Sequence, residues 1–456
     1  MTAPEAAPKD YASGGGQQLF MTFPITPTSH TLADYRARGG YSALGKALKE
    51  MKPDQVTKEV LASGLLGHGG AAFLAGRKWG VVKLNDGQPH YLCMNADEGE
   101  PGTFKDRWLL ENTPHLLLES MLIGAYALQS RHTFIYIRGE FDLAYRRMAD
   151  ALEEAYAAGY FGERILGIDF ACDLVVYRGA GSYVCGEASA MLTSLEGKKG
   201  YPRNRPPRLT VAGLYQKPTV VNNVETLANV PYIVTHGAEG FRKVGTAASP
   251  GTQLISISGH VAKPGVYEIE YGYPFKRFLY EDCGGMLNGA ELKCIVPGGI
   301  STKVLTRDDV LPLTLDHASF VNAGSQLGSQ GMIVVAEGTC MVRLLQVMVR
   351  FYHHESCGQC TPCREGMGWL ERISNRVVRG EGRPEDIARL YQISRANDGT
   401  TICGLGDAAG YATVGILDKY RHEFDYYIEH GHSMFGGRLE VTALADASQL
   451  AGSTGA

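Results

Sequence analysis

Three cysteines, Cys357, Cys360 and Cys363, stand in the run Ser356-Cys357-Gly358-Gln359-Cys360-Thr361-Pro362-Cys363-Arg364. A fourth, Cys403, follows in Thr401-Ile402-Cys403-Gly404-Leu405-Gly406. Thiolates at two successive three-residue intervals wrap one side of a compact inorganic core, and a distant fourth closes the other side. That is the donor set of a 4Fe-4S cluster, whose chemistry is the movement of single electrons. A lone Cys-x-x-Cys would serve equally as a redox dithiol or half a zinc site, and these remain the alternatives. The third Cys at the same spacing favours the cubane, because structural zinc usually takes paired ligands. His353 and His354, just upstream, read as helix-surface residues rather than ligands.

Other chemistry-bearing residues sit in glycine-rich or acidic loops. Gly64-Leu65-Leu66-Gly67-His68-Gly69-Gly70-Ala71-Ala72-Phe73 runs on to Arg77-Lys78. Backbone N–H groups brought close by missing side chains cradle phosphate, and a helix N-terminus adds its dipole. Glycine also serves ordinary turns, so the loop alone is weak evidence. Gly179-Ala180-Gly181-Ser182-Tyr183-Val184-Cys185-Gly186-Glu187 admits the same two readings. Asp97, Glu98 and Glu100 form either a solvated turn or a ligand-facing loop. Asn222-Asn223-Val224-Glu225-Thr226 offers amides to a heterocycle's edge or, more simply, a helix cap.

The elements that position these loops follow from periodicity. Residues 31–62 carry apolar residues at helical spacing. Strand-like stretches at 91–94, 133–138 and 171–177 alternate with helical ones at 114–129 and 142–158. Strand, loop, helix in repetition means a parallel α/β sheet with ligands at the strand C-termini. After about residue 249 the texture changes to alternating strands at 254–261 and 263–269, expected to form a β-grasp (ubiquitin-like) domain. From Cys340 onward four helical patterns (341–353, 365–379, 384–396 and 410–431) suggest a four-helix bundle with the cluster cysteines at its loops. The expected division is therefore a disordered extension over 1–30, an α/β domain over 31–248, a β-grasp, soluble-ligand-binding-like domain over 249–336, a helical bundle over 337–444 and a low-complexity tail over 445–456.

Composition sets the outer bounds. The chain has 456 residues, 44% hydrophobic and 20% charged, with a formal net charge of −4. No global basic field recruits nucleic acid or anionic lipid. The six other cysteines (Cys93, Cys172, Cys185, Cys283, Cys294, Cys340) are scattered in apolar settings and read as buried thiols in a reducing compartment. The N-terminus is polar and Gly-rich, without a secretory pattern. No apolar run of about 20 residues is present, so any membrane role comes through a partner.

Taken in order along residues 64–410, these motifs resemble the NADH- and FMN-binding flavoprotein subunit of respiratory complex I. The residues that carry the likeness are Gly67–Phe73 with Gly76-Arg77-Lys78-Trp79, Asn95-Ala96-Asp97-Glu98 with Glu100–Arg107, and Arg178–Tyr183 with Cys185-Gly186-Glu187. Lys217-Pro218-Thr219 with Asn222–Thr226 and the four cysteines complete the set. The resemblance implies a Rossmann-like FMN and NADH domain, followed by the β-grasp and cluster-bearing helical domains. NADH would reduce FMN and electrons would pass singly to the cluster, with no side chain acting as catalytic nucleophile. By the family pattern Gly67, Gly69, Gly70, Lys78, Asn95, Asp97, Glu98, Tyr183, Gly186, Glu187, Asn222, Asn223 and Thr226 would hold FMN. Gly70, Ala71, Phe73, Lys78, Glu100 and Tyr183 would border NADH, and Cys357, Cys360, Cys363 and Cys403 would ligate the cluster. The implied partners are a smaller thioredoxin-like iron–sulfur subunit and a larger iron–sulfur subunit. The implied place is cytoplasmic, peripheral on the inner face of the plasma membrane.

The alternatives are a diaphorase subunit of an NAD-linked hydrogenase or formate dehydrogenase, or a non-catalytic electron-transfer subunit. The chain departs from the family pattern at His68 (usually Arg), Ala72 (usually Gly), Leu74-Ala75 (usually Pro-Thr), Ala188 (usually Glu) and Arg208 (often aromatic). Ala188 removes a carboxylate and Arg208 adds a cation, which together are expected to ease use of NADPH beside NADH.

Overall fold

The computed structural model describes residues 15–84 and 86–436. Its first sheet is built from β1 (Tyr91–Ala96), β2 (His132–Ile137), β3 (Asp173–Arg178) and β4 (Thr219–Asn223), in the order β3-β2-β1-β4. Every pairing is parallel. Asn95 lies opposite Tyr136 on one side and Asn223 on the other, so the strand C-termini end together. That common edge delivers the loops after Ala96, Arg178 and Asn223 to one place.

Both faces of the sheet are covered. Leu92, Met94, Ile135 and Ile137 pack into one core with the helix Pro114–Leu128. That helix is buried on nearly all sides, as its almost unbroken apolar sequence requires. Cys93, Tyr136 and Val221 face the other way, against Met191 and Leu192 of the helix Ala188–Leu195. The period-2 alternation of β1 thus serves two separate cores.

The second sheet contains β5 (Thr252–Gly259), β6 (Gly265–Glu270), β7 (Leu292–Val296), β8 (Leu305–Thr306) and β9 (Gly331–Ala336), in the order β6-β5-β9-β7-β8. Only β5 and β9 run parallel; the other pairs are antiparallel. Phe275, Phe278 and Phe320 fill its core.

The last part of the chain forms the helices Met341–Glu355, Thr361–Val378, Pro384–Asn397 and Leu405–His430, which pack on one another around Met367, Leu370 and Ile416. Two of them begin four or five residues earlier than periodicity suggests, at Thr361 and Leu405. Pro362 occupies the first turn, where its missing N–H costs nothing, so Cys363 lies inside the helix rather than in a loop. Cys360 is the N-cap of that helix.

One expectation needs correction. Of the extension expected to be disordered, residues 1–14 lie outside the described residues, but residues 15–30 are held in place. The amides of Leu19, Phe20 and Met21 donate to the buried carboxylate of Glu268 on β6. Phe20 is only 3% exposed. Polar, glycine-rich composition suggested disorder; a single buried acceptor 248 positions away supplies the order. The tail expected at 445–456 lies outside the described residues.

Candidate functional site

A cavity of about 480 Å³ opens at the C-terminal edge of the first sheet. This is within the range of roughly 300–1,000 Å³ for small-ligand pockets. Three loops line it from the sheet side: His68 to Ala71, Asn95 with Glu98 to Glu100, and Tyr183 to Glu187, with Asn223 at its base. Across from them lie Gly298, Ser301 and Thr302 after β7, and Gln326, Gly328 and Ser329 before β9. Cys403, Gly404 and Leu405 complete the wall. One cavity therefore borders the glycine loops and Cys403, an expected cluster ligand, together.

Of the residues expected at the cofactor and dinucleotide sites, Gly69, Gly70, Ala71, Asn95, Glu98, Glu100, Tyr183, Gly186, Glu187 and Asn223 line this cavity. Gly67, Phe73, Lys78, Asp97, Asn222 and Thr226 do not. Several of these support the lining from behind. Thr226 Oγ1 accepts from the His68 amide at 2.9 Å, and Lys78 Nζ donates to the Val221 carbonyl at 2.8 Å. Asn222 Oδ1 accepts from Trp79 Nε1 at 2.9 Å. Phe73 is 49% exposed, outside the lining. The helix-cap reading of Asn223 is also met, since its Oδ1 accepts from the Glu225 amide at 3.0 Å.

The acidic loop is built under constraint. Glu98 has φ +40°, a left-handed conformation that costs an L-residue energy, and its carboxylate accepts from the amides of Asp106 and Arg107. It thereby caps the helix Lys105–Asn112. Asp97 is 2% exposed and its Oδ2 has no hydrogen-bond partner. Burial raises its carboxyl to about 7. A Cβ on Gly186 would stand 3.0 Å from that oxygen, tight enough that Asp97 would have to give way. Glu100 accepts from Ser301 N at 2.8 Å and from Ser301 Oγ and Tyr183 Oη at 2.6 Å each.

At the floor, with Lys105 and Asp106 in the lining, lies a buried ionic cluster that sequence reasoning missed. Lys105 Nζ is 2.8 Å from Asp106 Oδ1 and 2.7 Å from Glu225 Oε2, and all three residues are essentially inaccessible. Burial alone would push the Lys105 ammonium down, but Asp106, Glu225 and Glu98 overcome it and raise it. Burial raises Glu98 to about 8 and Glu225 to about 7. His68 is buried here as a neutral ring. Burial, aided by the Lys105 charge, lowers it to about 3. The loops after β7 were also missed, although Pro297-Gly298-Gly299-Ile300-Ser301-Thr302 repeats the strand-then-glycine pattern used upstream.

Neither Ala188 nor Arg208 lines the cavity, and Arg208 is exposed. Arg205 is the nearby cation that the structure pairs with the lining, its guanidinium 2.8 Å from Glu187 Oε1. The other oxygen of Glu187 caps the helix Ala188–Leu195 through the amides of Ser189 and Ala190, each at 2.9 Å.

The four cysteines expected to ligate a cluster gather where two cores meet. Cys360 and Cys403 pack against the core of the C-terminal helices, and Cys357 and Cys403 against that of the first sheet's outer face. Burial raises Cys363 and Cys403 each to about 11, and the charge of neighbouring cysteines adds to it. Thiols that oppose one another's ionisation in this way become thiolates only around positive charge, which suits an iron–sulfur core. Among the described residues, no three His, Cys, Asp or Glu stand close enough to hold a single metal ion. The six other cysteines are free and buried. His353 and His354 are partly and largely exposed, as helix-surface residues should be.

For a flavin nucleotide the fit rests on the unpartnered buried Asp97 oxygen, the bare Gly186 backbone beside it, where a Cβ would intrude, and the adjacent glycine loop. The comparisons with known proteins agree. The Nuo51 FMN-binding domain matches residues 60–232, the SLBB domain residues 253–332, and the NADH-ubiquinone oxidoreductase-F iron–sulfur binding region residues 343–427. An NADH-quinone oxidoreductase subunit of Rhizobium meliloti (strain 1021) is 47% identical over 409 residues, which are 90% of this chain and 97% of that protein. The corresponding NADH-quinone oxidoreductase subunit of Mycobacterium tuberculosis (strain H37Rv) is 46% identical, over 90% of this chain and 94% of that protein. Among solved structures, an H2-reduced NAD+-reducing NiFe hydrogenase matches with a TM-score of 0.77 and 32% identity over 85% of this chain, which spans 65% of that one. The fold and site define a flavin- and iron–sulfur-binding oxidoreductase. The chain belongs to the family of the FMN-binding subunit of NADH-quinone oxidoreductase. No helix among the described residues is long and apolar enough to cross a membrane.

Proposed function

We propose that this chain is the electron-input subunit of an NADH–quinone oxidoreductase, oxidising NADH and sending electrons one at a time toward quinone. The observation that carries the reading is the single cavity bordered by both the glycine loops and Cys403. FMN, when bound, would supply the exchange between two-electron and one-electron chemistry, and a 4Fe-4S cluster on Cys357, Cys360, Cys363 and Cys403 the outlet. The chain's residues bind and orient. Gly69, Gly70, Asn95, Glu98, Gly186 and Asn223 would hold the flavin, with Gly67, Lys78, Asp97, Asn222 and Thr226 supporting that shell. Ala71, Glu100 and Tyr183 would border the dinucleotide, and Phe73 would close over it from outside the present lining.

The finer architecture belongs to the same reading. The mixed second sheet is taken as the β-grasp unit and the four C-terminal helices as a bundle, with boundaries near residues 249 and 337. The partners would be a smaller thioredoxin-like and a larger iron–sulfur subunit, with the complex holding the chain at the inner face of the plasma membrane. A second reading, diaphorase in an NAD-linked hydrogenase, is favoured by the structural likeness to the NAD+-reducing hydrogenase. Optical and EPR spectra of the reconstituted chain before and after NADH addition test the proposal. Bleaching of a flavin band together with a new reduced-cluster signal supports it. A flavin or a cluster that NADH leaves oxidised, with no NADH-dependent ferricyanide reduction, overturns it. Co-purification with hydrogenase subunits rather than quinone-linked ones would select the second reading.

A further inference from the structure

The helix Met341–Glu355 ends directly before the cysteine run, and its last turn backs the cavity wall through Tyr183. Glu355 Oε2 accepts a hydrogen bond from the backbone N–H of Tyr183 at 3.0 Å. Phe351 meets the Tyr183 ring edge-to-face, with centroids 5.2 Å apart. Tyr352 Oη donates to Ser301 Oγ at 3.4 Å, the hydroxyl that itself donates to Glu100. Tyr183 Oη donates to the same Glu100 carboxylate at 2.6 Å. One helical turn therefore grips the Tyr183–Gly186 turn at its start and, through Ser301, at the far end of the tyrosine.

The Tyr183 amide has particular need of an acceptor. It opens a short 3-10 turn, Tyr183–Gly186, whose own hydrogen bonds begin later, and the Tyr183 ring is half-buried against the core of the C-terminal helices. An amide left without a partner in such a place costs the turn its position. We propose that Glu355 is a positioning residue for the oxidoreductase site: it fixes the Tyr183–Gly186 turn to the segment carrying Cys357, so that the nucleotide wall and the cluster loop keep one geometry. The inference rests on the functional reading above, yet its first test does not.

That test is amide hydrogen exchange of the full chain without flavin, in wild type, Glu355→Ala, Glu355→Asp and Glu355→Gln. The Tyr183 amide should exchange about tenfold or more faster in Glu355→Ala and in Glu355→Asp, whose carboxylate is one methylene short. Glu355→Gln, which keeps an acceptor oxygen at full reach, should restore protection. In the loaded chain, NADH KM with ferricyanide as acceptor should rise about tenfold in Glu355→Ala while kcat changes less than threefold, and Glu355→Gln should recover most of the loss. Unchanged exchange at Tyr183 in both Ala and Asp variants overturns the proposal. So does faster exchange with unmoved KM, or a Gln variant as impaired as Ala. Should Glu355→Ala fail to fold, the contrast between Asp and Gln decides alone. A wild-type chain that protects the Tyr183 amide yet ignores NADH would sink the functional reading, and the positioning role with it; loss of protection in the Asp variant alone would still report the contact.

Discussion

Lys105→Met is the sharpest perturbation of the site's foundations. The ammonium lies 2.8 Å from Asp106 and 2.7 Å from Glu225 with no access to solvent, so its removal strands two buried carboxylates. Breaking a buried pair from one side costs about 3–5 kcal/mol. For a unit of the size of residues 60–232, this lowers the unfolding midpoint by roughly 6–20 °C. Trp79 and Trp108, both buried in this unit, report the transition by fluorescence. The loss must depend on pH in a stated direction. Burial raises Glu98 to about 8 and Glu225 to about 7, above the ordinary carboxyl value of about 4.3 in the unfolded chain. A raised acid contributes stability that is complete below the unfolded value and is lost as pH climbs through the folded one. The wild-type midpoint should therefore fall as pH climbs from about 5 to about 8, and more steeply in Lys105→Met. Adding Glu225→Gln to Lys105→Met should recover on the order of 1–2 kcal/mol, because a neutral amide needs no counter-ion. A Lys105→Met midpoint within 2 °C (about 1 kcal/mol) of wild type at pH 7.5, or strict additivity in the double variant, would refute the account.

Ala72 sits at φ +48°, where an L-residue pays about 1–2 kcal/mol. Ala72→Gly should thus stabilise the loop by up to about 1 kcal/mol after the entropic cost of glycine, seen as slower limited proteolysis near residue 72; faster cleavage would count against the strain. Cys360→Ala should remove the reduced-cluster EPR signal and most of the bound iron, and an iron content of about four per chain in that variant, the number a 4Fe-4S core holds, would dismiss Cys360 as a ligand. Denaturation should release FMN into the filtrate, since the cavity presents glycine backbone and polar side chains rather than a nucleophile; flavin that stays with the chain would contradict this.

What was legible in the sequence was local. β1 begins at Tyr91 as its apolar run suggests, and Pro114 opens its helix as N-terminal prolines do. The acidic loop after β1 and the glycine loop after β3 announced a site because a strand followed by such a loop is a short-range pattern. Long-range features carried no such sign. Lys105 meets Glu225 across more than a hundred positions, and neither neighbourhood differs from an ordinary charged helix terminus. Ser301 joins Glu100 only because the second sheet docks its β7 loop over the first, a fact of tertiary packing. The early helix start at Thr361 escaped periodicity because cysteine, proline and glycine mask the apolar repeat, although proline in a first turn was available as a cue.

The strap formed by Leu19, Phe20 and Met21 has a consequence for biosynthesis. Its acceptor, Glu268, is made 248 residues after Phe20. At roughly 5–20 residues per second, a ribosome needs roughly 12–50 s to cover that distance. Through all of that interval the amides of the strap lack the acceptor that holds them in the finished fold. Residues 19–21 are thus fully seated only after β6 is made, and they tie the core of the first sheet to a strand of the second.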